Sequence, residues 1–102
     1  LEKLIIENDR DHTLFYYQGL SYAGQAGLRD SNDNDASEYL LEQAARSYTK
    51  GLKIDPNFGE LHFELGMVMT DLNRKKEARK NLNALKYIDQ DLYDKLDNYI
   101  KN

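Results

Sequence analysis

The segment KIDPNFGELHFELG, residues 53–66, contains the strongest structural signals in this sequence. Pro56 is the only proline in the chain, and the residue before a proline is disfavoured in helical backbone conformation. A helix is therefore predicted to end near Asp55. Asn57 is the predicted N-cap of the next helix, with Glu60 reaching back to it as in a capping box. The segment predicts a turn between two helices.

Two apolar stripes with helical spacing follow this turn. In the first stripe, apolar residues recur at i, i+4, i+7 and i+11, at Leu61, Leu65, Val68 and Leu72. Asn73 tolerates the left-handed conformation in which helices often end. The second stripe comes after it and consists of Ala78, Leu82 and Leu85. The two stripes predict two amphipathic helices that form a helical hairpin.

The same arrangement occurs upstream of this hairpin. TLFYYQGLSYAG (13–24) and EYLLEQAARSYTKGLKIDP (38–56) again have the pattern of two amphipathic helices, so the chain contains an internal repeat. Few glycines and few β-branched residues favour helices over strands. Small residues on both helices of each copy leave room for close packing, at Gly19, Ala44, Gly66 and Ala78. The predicted fold class is all-α.

Both copies carry much of a known repeat signature, which places a large residue, Leu-Gly, Tyr, Ala, an aromatic residue and Pro at fixed offsets in about 34 residues. The first copy fits it at Phe15, Gly19, Tyr22, Ala44, Tyr48 and Pro56, and departs from it at Gln18 and Gly51. In the second copy the corresponding residues are His62, Leu65, Gly66, Met69, Ala78 and Leu82. Of these, Leu65, Gly66 and Ala78 match outright, and Gln90 stands in place of Pro. On these residues the chain resembles the tetratricopeptide repeat (TPR) family over nearly its whole length.

The resemblance implies antiparallel helical hairpins stacked as a short TPR superhelix in one domain. Residues 1–11 align with the last turns of a preceding repeat helix, with Asp9 in the place of Pro, so the sequence is expected to begin inside an earlier repeat. Residues 12–58 and 59–92 would be two repeats, and 93–102 a C-terminal capping helix. Asp91 is the predicted N-cap of that last helix, whose inward side chains are predicted to be Leu92, Leu96 and Tyr99.

The first repeat is longer than the second. Gly19 and Ala44 are 25 positions apart, whereas Gly66 and Ala78 are 12 apart, so 13 residues are inserted between the helices of the first copy. The insertion includes RDSNDNDASEYL, residues 29–40, which offers Asp30, Asn32 and Asn34 at alternate positions, as a calcium loop does. The turn glycine and the final glutamate of such a loop are replaced by Asp35 and Leu41. An elongated hairpin with a polar tip is favoured over a metal site.

In this favoured, non-metal interpretation the segment contains the start of the second helix of the hairpin. Asp35 would be the N-cap, with Glu38 as its capping-box partner. The buried side of the helix would then consist of Leu40, Leu41, Ala44, Ala45, Tyr48 and Leu52.

Composition excludes several classes of function. The formal net charge is −4, and no basic run exceeds Arg74–Lys76, so nucleic-acid binding is not expected. No apolar run approaches the roughly 20 residues that cross a bilayer, so membrane insertion is not expected either. The chain has no cysteine, which excludes disulfides and thiolate metal sites. The compartment stays open, with a soluble cytoplasmic protein slightly favoured.

No catalytic motif is present. His12 and His62 lie far apart in sequence without metal-ligand spacing, and a packed histidine is the favoured interpretation of His62. The glycines at 19, 24 and 27 fit neither a dinucleotide-binding nor a phosphate-binding loop. We therefore predict no enzyme activity and no cofactor.

The resemblance implies instead a protein-binding function. In TPR proteins the first helices of successive repeats line a concave surface that holds a segment of a partner. By position, this groove would be mostly apolar and consist of Thr13, Tyr16, Leu20, Ala23, Glu60, Phe63, Met67 and Thr70. Apolar side chains stand where one TPR subclass has the polar pairs of a chaperone-tail carboxylate clamp, which disfavours that partner. Acidic residues on the rim, Glu60 and Asp71, would select basic residues beside an apolar motif.

Two alternatives remain open at this point. The same apolar residues would be covered if they packed against an adjacent repeat of a longer protein. The segment would then act as a spacer or would self-associate, as a structural part of a larger TPR protein. An enzymatic function would require catalytic residues outside this sequence.

Overall fold

A computed structural model describes residues 11–27 and 34–102 of the chain. Within these ranges all regular structure is helical, which confirms the predicted all-α class. The helices are α1 (His12–Gly27), α2 (Asn34–Ile54), α3 (Gly59–Asp71), α4 (Lys75–Leu85) and α5 (Gln90–Lys101). The predicted earlier repeat helix and the tip of the insertion fall outside the described residues. None of the described helices combines the length and the apolar character needed to span a membrane.

The helices pack in the order of the chain. Each helix contacts the next one, and α3 also contacts both α1 and α5. A connection of three residues joins α3 to α4, and such short connections are typical of antiparallel neighbours. At the far end of the α1/α2 pair, the Ser37 hydroxyl donates to the Ala26 carbonyl oxygen over 3.4 Å. Because α3 contacts each of the other four helices, it is the central element of the described fold.

Two apolar clusters form the core. The first joins α2 to α3 and is made of Ala44, Ala45, Tyr48, Leu61, Leu65 and Val68. The second joins α4 to α5 and is made of Ala78, Leu82, Leu85, Leu96 and Ile100. Met69 on α3 packs against both clusters. The two predicted stripes are confirmed as core positions, except that Leu72 is only partly buried.

Small residues allow the helices to approach closely, as predicted. A Cβ atom on Gly19 would lie 2.8 Å from Cζ of the Tyr48 ring and closer still to Cε1. A Cβ atom on Gly66 would lie 2.5 Å from Leu96 Cδ2. Gly19 thus makes room for its hairpin partner α2, as predicted. The prediction that Gly66 makes room for its own hairpin partner α4 is wrong, because the side chain beside it is Leu96 of α5. Ala44 and Ala78 are completely buried.

The turn at Pro56 ends α2 at Ile54, close to the predicted position. The predicted N-cap Asn57 is wrong, because α3 begins at Gly59 with Phe58 at the cap position and without a side-chain cap. Asp55 accounts for the difference: its Oδ1 accepts a hydrogen bond from the Asn57 N–H at 3.2 Å. This local turn places Asn57 before the helix rather than at its cap.

The other helix ends give one confirmation and two corrections. Asn73 has φ 64°, the left-handed conformation predicted for it. Asp91 is not the cap of α5; Asp89 is, and its Oδ1 accepts from the Leu92 N–H at 3.2 Å. Asp35 is not a cap either, because α2 already begins at Asn34. It lies in the first turn, where its negative charge interacts favourably with the helix dipole.

Candidate functional site

A cavity of about 270 Å³ lies where α1, α2, α3 and α5 meet. We call it the α3 cavity. It is lined by apolar residues of α1, α2 and α3, by two carboxylates of α3 and by one tyrosine of α5; the lining includes Ala23, Leu41, Glu64, Met67, Asp71 and Tyr99. Its volume is about nine times the roughly 30 Å³ that one water molecule occupies in the liquid. The cavity is therefore large enough to admit a side chain of another molecule.

Two of the predicted groove residues, Ala23 and Met67, line this cavity from opposite helices. Both are partly buried, and each packs against one of the two core clusters. Phe63, one turn before Met67, also packs against the second cluster. Ala23 and Met67 thus each pack against the core and also form part of the cavity wall.

The remaining predicted groove residues lie along α1 and α3 but do not line the cavity. The Thr13 hydroxyl donates to Asp11 Oδ1 at 2.6 Å, which places this side chain at the start of α1. The Thr70 hydroxyl donates to the Gly66 carbonyl oxygen at 2.8 Å. Glu60 is exposed and Leu20 is partly buried.

Tyr16 links α1 to the turn before α3. Its ring packs edge-on against Phe58, with 5.5 Å between the ring centroids. Burial raises the pKa of Tyr16, and the negative charges of Glu64 and Glu60 raise it further. Glu60 and Glu64 of α3 therefore lie close enough to α1 to raise the pKa of Tyr16.

Glu64 is the functional candidate that sequence reasoning missed. Its side chain is partly buried in the wall of the α3 cavity, and burial raises its pKa. Within the described part of the chain its carboxylate forms no hydrogen bond and no ion pair. The predicted groove stripe on α3 ran through residues 60, 63, 67 and 70, whereas the cavity is lined by 64, 67, 68 and 71. The sequence signal was the helical spacing of Glu64, Met67 and Asp71.

Asp71 and Tyr99 join the ends of α3 and α5 beside the cavity. The Tyr99 hydroxyl donates to Asp71 Oδ1 at 2.5 Å. Burial and this hydrogen bond raise the pKa of Tyr99 to about 12. Tyr99 was predicted to face the core, but 39% of it is exposed, and Ile100, at 4%, is the buried residue. The tyrosine ring thus belongs to the cavity wall.

A second cleft adjoins the cavity and extends its acidic character. It has a volume of about 470 Å³ and shares Ser37, Leu41 and Asp71 with the α3 cavity. Glu38 also lines it. No lysine or arginine is found among the described residues that line either space.

Basic residues are concentrated on other surfaces. Exposed Arg46, Lys50 and Lys53 follow one face of α2 and line a separate cleft of about 460 Å³. Arg74, in the same cleft, forms an ion pair with Glu42. This basic cleft is thus separate from the α3 cavity and shares no described lining residue with it.

His62 has a packing role, as predicted. Its Nε2 lies 2.7 Å from the Pro56 carbonyl oxygen, and its Nδ1 lies 3.3 Å from Asn81 Oδ1. Both ring nitrogens therefore have partners inside the fold. Among the residues described, no group of three or more His, Cys, Asp or Glu is placed to hold a metal ion. Asp30 and Asn32 of the calcium-like segment lie outside those residues.

Comparison with protein-family models, with curated proteins and with solved structures finds no match for this chain. A function must therefore be inferred from the shape and charge of the cavity itself.

Proposed function

We propose that this chain is a TPR-like repeat module that binds a peptide segment of a partner protein between its first helices. The order of helix contacts supports this proposal. The first helix of each hairpin contacts its own second helix and also the next first helix, in the series α1, α3 and α5. This is the neighbour pattern of stacked helical repeats, which commonly bind partners along an extended concave surface.

The α3 cavity is the observation that carries the proposal. Its lining includes Ala23 of α1 and Met67 of α3, the two helices that would line the concave face. Methionine adapts to irregular apolar ligands, and partly exposed apolar surface inside a recess is typical of peptide-binding sites. The proposed function is binding, without catalysis.

The charge of the cavity supports the exclusion of two partner classes. Glu64 and Asp71 would repel the phosphates of nucleic acids and also the terminal carboxylate that chaperone-binding TPR proteins hold. Both exclusions agree with the sequence-based expectations. The partner is therefore proposed to be a peptide segment of a protein that carries neither type of anion at this site.

Self-association is the second candidate function, because large aromatic side chains are exposed away from the cavity. Tyr17, Tyr39 and Tyr87 have exposed fractions of 66%, 63% and 85%. The basic row on α2 and the acidic cavity would also be complementary between two copies. Light scattering over a range of protein concentrations distinguishes this candidate, since a constant monomer mass would contradict it.

Selection of binders from a random peptide library tests the main proposal. The variants used enlarge a side chain in the protein, because truncating one would also remove core contacts. Alanine at Phe63 or Met67 would also remove contacts with the second core cluster, so loss of binding would be ambiguous. Ala23→Lys instead extends a side chain into the cavity. Gly24→Lys is the matched control, because a Cβ atom there has no neighbour within 4 Å in the described part of the chain.

The parent chain and Gly24→Lys are expected to enrich the same peptides, and Ala23→Lys to lose them. Helicity by circular dichroism must be equal in all three. Equal enrichment by Ala23→Lys, or no enrichment by the parent, would contradict peptide binding at this cavity.

A further inference from the structure

We propose that the α3 cavity binds the side chain of a lysine or arginine of the bound peptide, with Glu64 as the residue that holds its charge. This inference rests on the proposed peptide-binding function and names the chemistry of the peptide.

The α3 cavity and the cleft beside it are complementary in charge to a basic side chain. Glu64 and Asp71 line the cavity, Glu38 lines the adjoining cleft, and the described lining of both spaces contains no cation. Unpaired acidic charge in a confined space attracts cationic ligands and repels anionic ones. A basic side chain is the protein group that fits this field.

Glu64 lies partly buried in the cavity wall. A partly buried carboxylate has lost part of its hydration, which is unfavourable unless a hydrogen bond or an opposite charge compensates it. The described chain supplies neither to Glu64. A cationic group of a ligand would supply the interaction that the fold lacks.

The cavity wall combines apolar surface with carboxylates, as a basic side chain requires. Lysine and arginine carry a charged group at the end of an aliphatic chain, which packs well along apolar surface. In the cavity, Ala23, Met67 and Val68 offer such surface beside Glu64. Asp71 is held by the Tyr99 hydroxyl, so the second carboxylate has a fixed position. The lining thus matches both parts of a basic side chain.

A second copy of this chain is the competing occupant, because Arg46, Lys50 and Lys53 form an exposed basic row on α2. These residues sit on a regular helix and line a cleft of their own. A peptide presents a single basic side chain to a recess more readily than a rigid helix does, since it can adjust its backbone. We therefore commit to a partner peptide.

The test uses the peptides enriched by the parent chain. Each is synthesised with its lysine or arginine and, as a matched neutral version, with norleucine at that position. Affinities of both versions are measured by titration calorimetry for the parent chain, for Glu64→Gln and for Glu77→Gln. Glu77 is an exposed acidic residue on α4, so its replacement removes the same charge away from the cavity.

Enriched peptides are expected to share a basic residue at a fixed distance from an apolar one. Norleucine should weaken binding to the parent chain and to Glu77→Gln by roughly 10- to 100-fold, the usual effect of losing a charged hydrogen bond. With Glu64→Gln the same replacement should change affinity by less than about threefold, because the two changes remove one shared interaction.

Each contrary result has a separate meaning. Peptides that are enriched without a shared basic residue would overturn this inference and leave peptide binding intact. A norleucine effect that persists in Glu64→Gln would overturn the role of Glu64. Failure of the parent chain to enrich any peptide would overturn the proposed function, and the inference with it. Concentration-dependent mass that Lys50→Gln abolishes would assign the cavity to a second copy and also overturn the inference.

Discussion

The Tyr48 ring on α2 fills the space that a side chain would need at position 19 of α1, so Gly19 and Tyr48 together fix how closely the first two helices pack. Gly19→Ala is expected to destabilise the fold by about 1–3 kcal/mol, because the buried ring cannot move away from an added methyl group. Urea unfolding measures this free energy.

Gly24→Ala in the same helix is the matched control. No atom of the residues that the structure describes lies within 4 Å of a Cβ atom at this position. Alanine there should stabilise the fold by about 0.5–1 kcal/mol through its higher helix propensity. Equal effects of the two substitutions would contradict the close packing of α1 against α2.

Replacing Tyr48 with phenylalanine is expected to stabilise the fold by about 1 kcal/mol. The substitution removes a buried hydroxyl that has no hydrogen-bond partner among residues 11–27 and 34–102, and it keeps the ring that packs against Gly19. The free energy of unfolding by urea provides the measurement. Tyr87→Phe, at an exposed position, should leave it unchanged. A clear loss of stability in Tyr48→Phe would show that the hydroxyl has a partner.

Glu64→Gln is expected to raise the stability of the free protein at neutral pH. Burial raises the pKa of Glu64, so the ionised carboxyl is less favourable in the folded chain than in the unfolded one. The parent chain should therefore lose stability relative to the variant as pH rises through the folded pKa of Glu64. Below about pH 4 the carboxyl is protonated in both states, and the difference should disappear.

Melting temperatures of both proteins between pH 3.5 and 8 provide this comparison. Tyr16 and Tyr48 face Glu64 from α1 and α2, and their raised pKa values keep them neutral over this range. Glu60, Asp71 and Tyr99 are present in both proteins, so their effects largely cancel in the difference. A variant that is less stable at every pH would contradict this account of Glu64.

Asp89→Ala is expected to destabilise the fold by about 1 kcal/mol, because it removes the side-chain cap of α5. Asp91→Ala provides the comparison at the position that the sequence suggested, and its effect should be clearly smaller. Thermal unfolding of both variants decides between the two caps. A larger loss for Asp91 would mean that the cap lies where the sequence placed it.

The core was predictable from the sequence because its periodicity extends over whole helices. Leu61, Leu65 and Val68 repeat at helical intervals along α3. Helix ends were harder to predict, since each depends on one hydrogen bond among several polar neighbours. Asp89 and Asp91 are equally good caps by residue type, and only the backbone of the preceding turn selects Asp89.

The candidate site was only partly predictable. Met67 and Ala23 follow from the TPR resemblance, but Glu64 does not, because a glutamate on a helix is usually solvent-exposed. Its burial depends on how closely α1 packs against α2 and α5 packs against α3, which Gly19 and Gly66 respectively allow. The burial of Glu64 is a property of the tertiary structure, so it cannot be predicted from the spacing of residues along one helix.

The central claim, that a peptide binds in the α3 cavity, is tested most directly with the two methionine methyl groups. Met67 lines the cavity, whereas Met69 lines the separate basic cleft, and the chain has no other methionine. Protein labelled with ¹³C at these methyl groups is titrated with a library-selected peptide and observed by NMR. We expect the Met67 signal to shift in proportion to binding while the Met69 signal stays in place. A shift of Met69 alone, or of neither methyl group at saturation, would contradict binding in the cavity.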